Sequence, residues 1–330
     1  MLKLKRFFKD REVFLFAPIY FFLSLINLRV KLSLTPFWFQ GLLSSNHRNL
    51  LIYNYANNEQ SRLLQFYVPE ALRHLLRLSI EHAYLLQRWL FVFLAFMLFH
   101  KYLRKWFDAQ TSFAGVVFLA AIMPLSYFNH LQESAPLLMV TFLLGLWAIR
   151  ENKIGFLLLV FFVGGLNNET MLALPLVYFF YHFKSWKFME LARLSGRTIL
   201  VSLPLLLTVG PIRYFNRYRP HGANIWQLPY NLQGIARDFS GIASWPNFLN
   251  IHGNAYLYIF IIFNVFWVYA FIKYKDLPLF LRRAALMIPF FIIAHMLTGI
   301  IMEVRQMIPL SFIIIPMALF FLFKQEGIKV

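Results

Sequence analysis

Four glutamates stand in polar turns of a chain that is 60% apolar: Glu59 in NYANNEQSRL, Glu133 in NHLQESAP, Glu169 in VGGLNNETMLALP and Glu303 in MEVRQMIP. A carboxylate in such a place can take a proton from a hydroxyl, hold a divalent cation through oxygen, or pair with a guanidinium. Guanidiniums are at hand. Arg305 follows Glu303 by two positions, and Arg213, Arg217 and Arg219 make up the run RYFNRYR. The planar fork of arginine matches the oxygens of a phosphate. The chain has no Walker loop, dinucleotide fingerprint, GxSxG or HExxH. It also has no cysteine, which excludes disulfides, thiolate metal sites and cysteine nucleophiles.

Each residue has a structural reading beside the chemical one. Glu59 is a solvated loop carboxylate near a cap at Asn57 or Asn58, or a general base that deprotonates an acceptor hydroxyl at the membrane surface. Glu169 complements the positive end of the helix that follows, capped by Asn167 or Asn168, or lines an anion site at that same helix N-terminus together with Asn168. Those two roles conflict unless a cation or an arginine intervenes. Glu303 and Arg305 point to opposite sides of a regular helix, so they bridge to other helices, or Arg305 clamps a phosphate. Arg213, Arg217 and Arg219 attract anionic headgroups, or bind the phosphate of a lipid-linked substrate. His295 and Asn264 fall within apolar runs. An intramembrane histidine is either functional or a buried neutral ring with a hydrogen-bond partner.

The elements that must position these groups are helices. The apolar runs are continuous rather than alternating, which favours a helical membrane protein over a barrel. Ten spans are expected, at about 13–28, 84–100, 113–128, 135–149, 154–166, 170–183, 198–212, 254–272, 284–301 and 306–323. The first twelve residues resemble a signal-peptide n-region, but no small-residue cleavage site follows, so the first span reads as retained. The stretch 154–183 is one long helix or a hairpin of two short ones. With the hairpin, segments on the side of the N-terminus hold 20 of the 32 Lys and Arg, and the balance disappears without it. The positive-inside rule therefore favours the hairpin, with both termini cytoplasmic. The net charge of +18 is then a matter of basic cytoplasmic loops rather than of nucleic acid.

In this topology the whole chain, 1–330, is one membrane domain with two long outer loops, 29–83 and 213–253. The run PEALRHLLRLSIEHAYLLQRW from Pro69 is amphipathic and is expected to lie in the interface plane. All four glutamates fall on the outer side, where a bundle can bring them to one cavity. A helix over 154–166 measures roughly 20 Å, short of the roughly 30 Å hydrocarbon core, so its NNE turn is recessed.

In this layout the chain resembles the GT-C superfamily, the polyprenyl-linked membrane glycosyltransferases. The likeness lies in RHLLRLSIEHAYLLQRWLFVFLAF, IMPLSYFNHLQESAPLLMVTFLLGLWAI, LLLVFFVGGLNNETMLALPLVYFF and the closing MEVRQMIPLSFIIIPMAL. The chain departs from the pattern in having one Glu in its first loop where the family often has an acidic pair, and in lacking a soluble C-terminal domain. The resemblance implies an all-α polytopic bundle in a bacterial inner or plasma membrane, moving a sugar from a polyprenyl-phosphate donor to a glycan, lipid or protein acceptor. It implies Glu59 and Glu133 as catalytic carboxylates and Asn168, Glu169, Arg213, Arg217, Glu303 and Arg305 as substrate contacts. A divalent cation, Mg or Mn, could join the outer carboxylates, although no spacing demands it. A transporter or flippase, a polysaccharide polymerase and a non-catalytic scaffold subunit are the rival readings.

Overall fold

The computed structural model describes residues 2–55, 58–127, 133–216, 226–241, 262–263, 265–301 and 303–323. They form helices joined by turns, with no strand among the described residues. The helices are α1 (Leu2–Leu34), α2 (Leu42–Leu51), α3 (Leu63–Leu76), α4 (Ile80–Leu103), α5 (Ala109–Ile122), α6 (Ser134–Arg150) and α7 (Ile154–Asn167). After them come α8 (Leu174–His182), α9 (Phe188–Asn216), α10 (Leu228–Gly241), α11 (Phe266–Ile272), α12 (Leu279–Ala285), α13 (Met287–Thr298) and α14 (Ser311–Leu322). Among the described residues, five stretches are long and apolar enough to cross a bilayer: Leu15–Leu34, Ile80–Leu103, Phe188–Asn216, Leu279–Thr298 and Val304–Leu322. This is the make-up of an integral membrane protein. The expected span 254–272 is described only in its last part, as α11.

Local chemistry sets the boundaries. Ser79 caps α4 by accepting the His82 N–H, and Asp108 caps α5 by accepting the Thr111 N–H at 2.7 Å. The run from Pro69 that reads as one amphipathic stretch is instead divided. Arg77 takes a left-handed conformation (φ 53°) that ends α3, and the Ser79 cap starts α4. Only the first part therefore belongs to an amphipathic helix, with Leu75 and Leu76 exposed on it, and the rest enters an apolar span.

The stretch 154–183 is a hairpin. Asn168 is extended, and its side chain accepts the Thr170 N–H at 2.9 Å to open a 3-10 turn at Glu169–Ala173. Both arms return to one end of the bundle. Arg150, which precedes α7, lies over the Trp106 ring, Trp106 packs on Phe280, and Phe280 packs on Tyr181 of α8. Inside the bend, Met171 fills the space a Cβ at Gly164 would take, and Gly165 lets α9 approach so closely that a Cβ would strike Thr208.

One apolar core runs from Tyr20 of α1 through α4–α8 to Leu319 of α14. The bundle has two polar ends. At one, Glu12 meets Arg104 at 2.6 Å and Lys105 meets Glu151 at 3.2 Å. At the other, the ends of α1, α6, α7, α9 and α13 gather around the four glutamates.

Candidate functional site

Glu59 lies in a 3-10 turn, Asn58–Ser61, that the end of α9 holds in place through the Asn216 side-chain amide on the Ser61 hydroxyl at 3.2 Å. That turn aims Arg62 inward. Its Nη1 donates to Glu59 Oε1 at 3.1 Å, while Nη2 and Nε reach the two carboxylate oxygens of Glu169 at 3.2 and 3.4 Å. Arg213, near the end of α9, adds a contact to Glu169 Oε1 at 2.7 Å. From the other side, Arg305 Nη2 lies 3.8 Å from Glu59 Oε1 and 2.8 Å from Glu303 Oε2. Three guanidiniums and three carboxylates thus form one linked cluster.

Glu303 and Arg305 do pair, against the expectation that they face apart. The reason is backbone geometry: Glu303 precedes a 3-10 helix, Val304–Leu310, rather than occupying an α-helix. Gln306 also donates to Glu303 Oε2, at 3.0 Å.

Electrostatics keep Glu169 and Arg62 ionised. Burial pushes the Glu169 carboxyl up, but Arg62 and Arg213 outweigh this and hold it well below the usual 4.5. Burial works against the Arg62 charge, and Glu169 followed by Glu59 more than restores it.

Beside the cluster is a cavity of about 240 Å3. Arg62, Asn168, Glu169, Arg305 and Gln306 line its polar end, and Leu138, Leu172, Leu176, Phe290 and Phe291 form an apolar wall. Phe290 and Leu172 are also exposed on the outside of the bundle. His295 lines the cavity with Nδ1 against the Phe291 carbonyl at 2.9 Å.

The structure therefore brings Glu59, Asn168, Glu169, Arg213, Glu303 and Arg305 together, but in unequal positions. Glu59 and Glu133, the expected catalytic pair, do not line the cavity. Glu59 is 3% exposed, behind Arg62 and Arg305. Glu133 is fully buried, 2.7 Å from Arg88 and 4.0 Å from Lys31, with Arg88 stacked over Tyr127. Asn168 fastens the hairpin bend to α6 through the Ser134 hydroxyl at 3.2 Å, as Asn167 does through the Ser134 carbonyl at 3.0 Å. Arg217, Arg219 and Asn264 lie outside the described residues.

The donor set does not fit the Mg or Mn considered from sequence: each of the four carboxylates already faces a guanidinium. No three His, Asp or Glu converge as a cation site among the described residues.

Arg62, Arg88 and Lys31 were missed. Arg62 had a signal in its spacing of three from Glu59. Arg88 and Lys31 had one in being charged residues bordering or inside apolar runs. Comparison with known proteins gives no significant match to any family model, curated protein or solved structure.

Proposed function

We propose that this chain is a membrane glycosyltransferase that takes a sugar from a polyprenyl-phosphate donor. The observation that carries the reading is the cavity: one end presents Arg62 and Arg305, and the rest is an apolar wall that reaches the outside of the bundle. An anionic head with a long hydrocarbon tail has that same division of chemistry. The distribution of Lys and Arg favours the non-cytoplasmic side for this end.

In this reading Arg62 and Arg305 stabilise the charge that grows on the donor phosphate as its bond to the sugar breaks. Glu59 has a positioning role, since one oxygen draws both guanidiniums together. Glu133 holds α1, α4 and α6 in register through Lys31 and Arg88. The carboxylate with access to the cavity is Glu169, and it receives the proton of the acceptor hydroxyl.

A second reading has its own support. The hairpin broken at Asn168, with its polar tip in the cavity, has the form of a transporter's interrupted helix. The deciding experiment supplies liposomes bearing the full chain with a polyprenyl-phosphate sugar and a pool of acceptors. Release of polyprenyl phosphate that falls about a hundredfold in Arg305→Ala supports transfer. Movement of intact donor between leaflets, with no bond cleaved, overturns it in favour of transport.

A further inference from the structure

We propose that Glu169 occupies the seat of the donor phosphate, so that an anionic lipid head must displace it, and that the displaced carboxylate then becomes the base. This rests on the transferase reading above and specifies how its site is regulated.

The geometry carries the idea. Arg62 presents two N–H groups side by side to the two oxygens of Glu169, and Arg213 adds a third contact to one of them. A phosphate offers the same pair of oxygens at a similar separation, and a third besides. Among the described residues, the ion pairs of the cluster balance, with Arg62, Arg213 and Arg305 against Glu59, Glu169 and Glu303. An added anion gains little from a balanced cluster unless a carboxylate leaves it. Glu59 cannot leave, because its side chain is 4% exposed and braced by two guanidiniums. Glu303 does not line the cavity and is held by both Arg305 and Gln306. Glu169 is 29% exposed, lines the cavity and can rotate into it.

The exchange also solves a chemical problem. A carboxylate clasped by two guanidiniums is a poor proton acceptor. Once the phosphate takes Arg62 and Arg213, Glu169 is released beside the new anion, which raises its proton affinity. It then takes the proton of the acceptor hydroxyl as that oxygen bonds to the anomeric carbon. The bond from that carbon to the phosphate oxygen breaks, and its electron pair leaves on the phosphate, against Arg62 and Arg213 in the seat of Glu169 and Arg305 at the same end of the cavity. Donor binding thus switches on the base, and an empty site has none.

The test uses the full chain in nanodiscs with farnesyl phosphate as probe, and farnesol and inorganic phosphate as controls. Glu169→Gln is expected to bind farnesyl phosphate about tenfold more tightly than wild type, with farnesol binding unchanged. In the transfer assay the same variant is expected to lose about a hundredfold in turnover. Glu169→Asp, a conservative shortening, tests the same competition should the Gln variant fold poorly, and is expected to bind with an intermediate gain. Equal or weaker binding by both variants, with Arg305→Ala still impaired, overturns the displacement and leaves the transferase reading intact. No binding of farnesyl phosphate by wild type or variant overturns both. An equal gain for inorganic phosphate overturns the lipid head as the occupant.

Discussion

Arg62 closes Nη2 and Nε on the two oxygens of Glu169 while its Nη1 stays on Glu59, so one guanidinium joins the first loop to the hairpin bend. Its removal leaves Glu59 with Arg305 and Glu169 with Arg213, each short of one charged donor. Arg62→Ala is expected to lower stability by about 1–3 kcal/mol. Thermal unfolding in detergent checks this, and a variant as stable as wild type would show that the cluster is not a structural unit.

The pair Arg88 and Glu133 is expected to be structural. Either single change to Ala should destabilise by about 3–5 kcal/mol, because the partner stays buried without its nearest counter-charge, Glu133 keeping only the more distant Lys31. The double variant should cost less than the sum of the two. A double-mutant cycle measures the difference, and strict additivity would contradict the coupling.

Acid should release α2 from the bundle in two steps. His47 joins the Tyr84 hydroxyl at 3.0 Å and Glu70 at 2.9 Å, and Glu70 also holds His74 and Arg73. Burial lowers the His47 pKa below 6.5 despite the Glu70 hydrogen bond, with Arg73 adding to the lowering and Glu81 opposing it. The unfolded chain therefore takes up that proton first, and the contribution present above 6.5 fades as pH falls below it. Burial raises the Glu70 carboxyl, but the hydrogen bonds of His47 and His74, with Arg73, hold it under 4.5. Its contribution is present above 4.5 and is lost as pH falls through the folded value. Deuterium uptake over residues 42–51 should rise in both windows, and His47→Gln should remove the upper one.

Two glycines of α7 should respond in opposite ways. A Cβ at Gly165 strikes Thr208 and comes within 3.0 Å of Leu205, whereas at Gly155 it meets nothing within 4 Å. Gly165→Leu is expected to destabilise by about 1–3 kcal/mol or more through overpacking. Gly155→Ala is expected to stabilise by about 0.5–1 kcal/mol. Melting temperatures of the two variants provide the check.

The helices were legible in the sequence because long apolar runs leave few other folds. The hairpin at Asn168 was legible from charge balance alone, although no local pattern separates it from one helix. The four glutamates were legible as polar points in apolar surroundings. Their ranking was not. Glu59 and Glu133 drew attention by position, yet burial is a property of the partners that cover them, and Arg305, Arg88 and Lys31 come from other segments. The pairing of Glu303 with Arg305 was misread because helical spacing was assumed where the chain tightens into a 3-10 turn. The first span was read as ending at 28, whereas α1 runs on to Leu34 with Lys31 buried against Glu133.

Arg305 is made long after Glu59, and that order bears on biogenesis. While the ribosome is still at work, Glu59 and Arg62 are already made, but the late arginine that braces them is not. Lys31 likewise waits in the first helix for a counter-ion that arrives only with the sixth. The nascent protein therefore holds Lys31 before Glu133 is made, and the Glu59–Arg62 pair before Arg305 is made. A chain cut short before Arg305 would keep the Glu59–Arg62 pair without that brace.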